Sequence, residues 1–274
     1  MHRWQLGEVE IVRHEDLDFA VPSDETVPDW CVPAFAPSSA EVGLAFSALA
    51  IAADGQRILV DPWIVNDGPR EQPDASEHAD RLLTELAEVG FRAEDVDVVV
   101  NSHLDGIGWN TRPTDHGWAP SFPNARYLYP ADEIAAIDRG TPINGSEALA
   151  ELRSMVDLEE VTPPFALTPS VTLDPAPGHN YGHVAVRVES GGDIAVYGGH
   201  LFLSPFQIAS PARDDPGESE HERAVETRLQ ILGELGARHG LLLTTLLGGP
   251  GGGRVVADGD GFRLVPVPSS TLRR

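Results

Sequence analysis

In VVVNSHLDGIGWN, residues 98–110, an apolar run empties into a polar, glycine-rich loop. With Val96 and Asp97 the run reads VDVVV, which predicts a buried strand, because continuous valine runs suit strands covered on both faces. The loop beyond it carries His103 and Asp105. Loops leaving the C-terminal ends of buried strands are where mixed α/β architectures place their chemistry. Two more histidines stand at comparable corners, His179 in PAPGHNYGH and His200 in VYGGHLF. Three imidazoles and a carboxylate suffice for one divalent ion, zinc first, with manganese or iron(II) also suited.

Working outward, residues 7–13 and 44–60 read as strands, the latter folded at Ala53-Asp54-Gly55, a hairpin turn. The Pro/Ser-rich stretch between them, 21–42, is an expected surface excursion at a pocket rim. SEHADRLLTELAEVG places Leu82, Leu83, Leu86 and Val89 at helical spacing and stops at Gly90. ARYLYP predicts a strand, and helices follow near 131–138 and 146–156. Strand, loop and hairpin account for 170–202, a helix for 219–236, a buried strand for GLLLTTLL and a closing hairpin for 254–267. GGPGGGR at 248–254 lacks the Lys-Ser/Thr of a phosphate loop and reads as a flexible turn. No repeat or linker interrupts the chain, so one domain over residues 1–274 is expected.

Composition excludes several functions. A net charge of −24 disfavours nucleic acid and anionic membrane surfaces, both of which need clustered basic residues. All 19 basic residues are arginine, so lysine Schiff-base chemistry is excluded. Cys31 stands alone, without a disulfide partner or an activating pattern. No G-x-S-x-G occurs. The N-terminus has no secretory apolar region and no run spans a bilayer, so a cytoplasmic location is expected. The Arg, Ala and Gly bias suggests a GC-rich bacterial source.

The motifs resemble a known family. Residues 101–111, NSHLDGIGWNT, look like the H-x-H-x-D-H-x-G-W-N-T loop of metallo-β-lactamase-fold hydrolases, particularly the lactonase-like branch. ILVDP at 58–62 stands where the family has L-V-D-T, SFPNARY at 121–127 fits T-F-P-N-A-R-Y, and PGHNYGH at 177–183 fits P-G-H-T-x-G-H. Gly199-His200 replaces G-D, and Thr245-Leu246 falls in the T-H segment. These blocks keep family order over about residues 40–267. The resemblance implies an α/β fold, an αββα sandwich of two mixed sheets with the site at one edge.

Carried over residue by residue, the family's first metal set becomes Asn101, His103 and His179. The second becomes Asp105, Gly106 and Leu246, and the bridging aspartate becomes His200. A dinuclear centre is therefore not expected. The expected ligands of a single ion are His103, His179 and His200, with Asp105 as fourth ligand or as base. Asp105 and His200 are the expected catalytic residues, and Asn101, Trp109, Asn110 and Tyr181 the expected substrate contacts. His183 reads as structural or as a support behind the ligands, since its family counterpart is not a ligand. The implied activity is hydrolysis of a small ester, lactone or thioester with at most one metal ion. Two alternatives stay open: a metal-independent cyclase, lyase or isomerase of a bacterial biosynthetic pathway, and a catalytically silent ligand-binding protein. The expected partner is a small molecule, with a homodimer as one option.

Overall fold

Val98, Val99 and Val100 divide their side chains between two cores, and that division organises the molecule. The computed structural model describes residues 1–62, 75–104, 108–141 and 146–269. Its first seven-stranded sheet runs β1 (His2–Leu6), β2 (Val9–Pro22), β3 (Glu41–Ala53), β4 (Gln56–Val60), β5 (Val98–Val100), β8 (Arg126–Pro130), β9 (Leu158–Val161). A separate hairpin, β6 (Thr111–Thr114) and β7 (Gly117–Pro120), interrupts the chain order. The second sheet takes its strands consecutively: β10 (Phe165–Thr168), β11 (Val171–Pro175), β12 (Val184–Ser190), β13 (Asp193–Tyr197), β14 (Leu241–Leu243), β15 (Gly252–Asp258) and β16 (Gly261–Val265). Pairing is antiparallel from β1 to β4 and parallel across β4, β5, β8 and β9. In the second sheet only β13 and β14 run parallel.

Alternation along each strand separates the layers. Val98 and Val100 face inward with Ile58, Val60 and Leu128, against Leu173, Val186, Leu241 and Leu243 of the second sheet. Val99 faces outward with Leu59 and Tyr127, under Leu82 and Leu86 of α1 (Ala75–Glu88), Ile134 of α2 (Ala131–Asp138) and Leu152 of α3 (Ser146–Met155). Leu242 and Val196 face the opposite side, where α4 (Pro205–Ala209) lies and α5 (His221–Arg238) lays down Ala224, Leu232 and Leu235. The layers are therefore helix, sheet, sheet, helix. Each fully buried valine or leucine contributes about 1.5–3 kcal/mol. Among the described residues, no helix is long and apolar enough to cross a membrane.

The Asp54-Gly55 turn forms as expected, with φ of 51° and 80°, the left-handed pair a tight hairpin demands. The helices after β8 also lie where their spacing put them. Other boundaries moved. β2 continues to Pro22 and β3 begins at Glu41, so the excursion shortens to 23–40. Asp18, Phe19 and Ala20 in that extension are solvent-exposed, so burial periodicity is silent there. VDVVV yields only three strand residues, because 93–95 form a helical turn. The glycine-rich turn is clamped: the Arg13 guanidinium donates to the carbonyls of Leu247 and Gly249, both at 2.9 Å. Gly251, at φ 67°, has no room for a side chain, since a Cβ would lie 2.1 Å from Arg13.

Candidate functional site

Three strand ends deliver the histidines. His103 follows β5, whose exit is fixed by Asn101 N–H donating to Leu128 C=O (3.0 Å) and Val184 N–H donating to Ser102 C=O (2.8 Å). The second of these bonds stitches the two sheets together at the site. His179 lies between β11 and β12, in a loop held by Ser219 N–H donating to its carbonyl at 2.9 Å. His200 sits in a helical turn, Gly199–Leu201, directly after β13. Each is about 95% buried.

One ligand nitrogen from each of His103, His179 and His200 lies within 4.8 Å of the other two. His103 Nε2 is 3.0 Å from His200 Nδ1. The ring centroids of His103 and His179 are 5.1 Å apart and those of His179 and His200 5.2 Å, both pairs nearly perpendicular. Burial, and then the neighbouring imidazoles, hold His103 well below the usual histidine range. A neutral ring keeps one nitrogen lone pair, the form that binds metals. Nitrogen ligands about 2.1 Å from an ion can be gathered from this spread by shifts on the order of an ångström. The donor set therefore fits a single divalent ion. Among the described residues, no carboxylate joins this group. Leu246 occupies the late-histidine position, and its carbonyl is taken by Ala45 N–H at 2.9 Å.

Behind the histidines stands a buried carboxylate. Asp61, at the end of β4, accepts from Ser102 N–H (2.7 Å), Ser102 Oγ (2.6 Å) and Tyr197 Oη (2.9 Å). Ser102 Oγ is also 2.9 Å from His103 Nδ1. Burial pushes the Asp61 carboxyl up, against the opposing pull of those donors and of His200. Glu133 of α2, fully buried, accepts from Leu104 N–H (3.3 Å) and Gly182 N–H (2.8 Å), bridging the loops that carry His103 and His179.

His183 belongs to the same cluster, its ring centroid 5.0 Å from that of His103 and 5.9 Å from that of His179. Neither of its nitrogens makes a hydrogen bond among the described residues. Burial first, and then His179 and His200, lower it well below the usual range, with the Ala176 backbone opposing. His183 also borders a cleft of about 200 Å³ with Pro130, Asp132, Val161, Tyr181 and Arg223.

The remaining expected residues separate. Asn101 and Asn110 meet, their amides exchanging hydrogen bonds of 2.8 and 3.3 Å. Trp109 is buried in the outer core beneath α1, with His78 stacked on it at 6.4 Å. Tyr181 is exposed at the cleft. Asp105 lies outside the described residues. Cys31 is buried, and burial pushes its thiol to about 12, consistent with an inert side chain. Sequence reasoning did not single out Asp61, Ser102, Tyr197 or Glu133. The one available signal was Asp61 itself, a carboxylate ending the apolar strand ILV.

No family model and no curated protein sequence matches the chain. Solved structures do. AidC, a dizinc quorum-quenching lactonase solved with its product, superposes with a TM-score of 0.73 at 20% identity, covering 99% of this chain and 98% of its own. The hydrolase AbOPH of the beta-lactamase superfamily gives 0.76 at 19% identity, over 98% of each chain. A probable metal-dependent hydrolase from Staphylococcus aureus gives 0.67 at 14%, covering 96% of this chain and 99% of its own.

Proposed function

We propose, for a chain with the metallo-β-lactamase fold, that this protein is a hydrolase cleaving a small ester, lactone or thioester at a single divalent ion. The supporting observation is the buried group His103, His179 and His200, with ligand nitrogens within 4.8 Å of one another. These residues would hold the ion, zinc before manganese or iron(II). Bound there, it would polarise a carbonyl and make water a better nucleophile near neutral pH. The rest is the work of the protein. Burial holds His103 in its neutral form and shields all three rings from bulk water. Glu133 holds the two ligand loops at fixed spacing. Asp105, two residues beyond His103, takes the proton from the attacking water, and His200 shares the catalytic role. Tyr181 forms one wall of the substrate cleft, and its 200 Å³ suits a small molecule. Asn101 and Asn110, joined through their amides, and Trp109 would be the remaining substrate contacts. The chain acts as one domain.

Metal content measured on protein purified without chelator, beside hydrolysis of a panel of lactones, aryl esters and thioesters, tests this. About one ion per chain is expected, with metal and turnover both falling at least ~100-fold in His103→Ala, His179→Ala and His200→Ala. Two ions per chain, or full activity in any of these variants, would overturn it.

One observation favours a second reading. The direct 3.0 Å contact between His103 Nε2 and His200 Nδ1 is also the geometry of a metal-free acid–base pair. Such a pair would suit cyclisation, elimination or isomerisation. Turnover by metal-free protein that survives chelation would select it.

A further inference from the structure

We propose that Asp61, acting through Ser102, sets His103 in its Nδ1–H tautomer and so turns a bare Nε2 toward the histidine centre. The inference comes from counting protons along a buried chain. Three donors converge on Asp61, namely Ser102 N–H, Ser102 Oγ and Tyr197 Oη, an environment that favours its ionised form, and an ionised carboxylate only accepts hydrogen bonds. Asp61 Oδ2 lies 2.6 Å from Ser102 Oγ, so the single hydroxyl proton of Ser102 points at Asp61. Ser102 Oγ then has only lone pairs to offer His103 Nδ1, 2.9 Å away, and Nδ1 must carry the ring proton. A neutral imidazole has one N–H, which leaves Nε2 with its lone pair, 3.0 Å from His200 Nδ1.

The same polarity extends the other way. Tyr197 Oη gives its proton to Asp61 at 2.9 Å, so Thr245 Oγ1, 2.6 Å from Tyr197, is the donor in that pair. The Thr245 peptide is fixed in turn: its carbonyl accepts from Ser47 Oγ at 2.7 Å, and Ser47 accepts from Arg13 Nε at 3.0 Å. Asp61 is held still as well, with its backbone at φ 44° and its amide donating to the Val100 carbonyl at 2.9 Å. Asp61 and Ser102 are thus positioning residues, and they touch no reacting atom.

The metal-binding arm of the test rests on the hydrolase reading; the tautomer arm does not. Long-range ¹H–¹⁵N correlation spectra of the metal-free protein report which His103 nitrogen is protonated. Nδ1–H is expected in wild type and in Ser102→Thr. In Asp61→Asn the new amide can donate to Ser102, whose proton then turns to His103, and the tautomer should switch to Nε2–H. Ser102→Ala should leave a mixture of the two forms, and it serves if Asp61→Asn does not fold. Zinc affinity, read by chelator competition, should fall ~10–100-fold in Ser102→Ala and Asp61→Asn and recover in Ser102→Thr. Nε2–H in wild type, or an unchanged tautomer in both Ser102→Ala and Asp61→Asn, would overturn the inference. A wild type that takes up no zinc but shows the expected tautomers would sink the hydrolase reading and leave this one standing.

Discussion

Gly199 occupies the left-handed region at φ 50°, immediately before His200. A Cβ there would lie 2.7 Å from His183 Nε2 and 2.9 Å from Ser102 Oγ, both buried and with little room to retreat. Left-handed strain of about 1–2 kcal/mol adds to an overpacking cost of similar size. Gly199→Ala should therefore lose about 2–4 kcal/mol in urea unfolding, and a loss under ~0.5 kcal/mol would mean the histidine cluster is looser than it looks. At this scale the sequence was only partly legible. That His103, His179 and His200 meet was legible because the address of each is one-dimensional: a histidine just past a strand. Ser102 could not be found this way, and Asp61 signalled only a carboxylate ending a strand, because their role depends on which polar atoms meet across 41 positions of chain. His183, read as structural or as support behind the ligands, packs against His103 and His179 and also lines the cleft.

Among elements, α2 matters beyond its own packing. Glu133 spends both carboxylate oxygens on backbone amides of the loops after β5 and β11. Leaving a buried backbone amide without its acceptor costs about 1–3 kcal/mol, and about 1.4 kcal/mol is a factor of ten in an opening equilibrium. In Glu133→Ala, amide hydrogen exchange at Leu104 and Gly182 should accelerate ~10-fold or more while exchange in the β11–β12 hairpin stays unchanged. Uniform acceleration would mean the residue supports global stability instead of loop spacing. Helices α1, α2, α3 and α5 and the Asp54-Gly55 hairpin were readable because spacing and turn chemistry are local, whereas the five-residue α4 was not. β9 (LEEV) and β10 (FALT) were not, since four residues carry too little pattern to stand apart from loop. Likewise, nothing in GGPGGGR reveals that Arg13, over 230 residues earlier, clamps it.

For the molecule as a whole, a net charge of −24 means that folding concentrates negative charge. Its arginines answer part of this in clusters: Arg187 pairs with Asp174 and Glu234, and Arg228 is buried against Glu218. The surplus still repels itself, and salt shortens the screening length from about 30 Å at 10 mM to about 8 Å at 150 mM. The unfolding temperature should accordingly rise by a few degrees over that range in a thermal scan, and a fall would show that ion pairs outweigh the repulsion. The clamp by Arg13 also has a meaning in time. As the chain leaves the ribosome, all four histidines of the cluster are made by residue 200, but β13 then still lacks β14, its parallel neighbour. Thr245, which orients Tyr197, and the carbonyls that seat Arg13 are made later still. Until they appear, an open sheet edge is exposed, the kind of surface that draws chaperones or other nascent chains. A chain halted at residue 240 carries every candidate histidine ligand without the frame that aligns them.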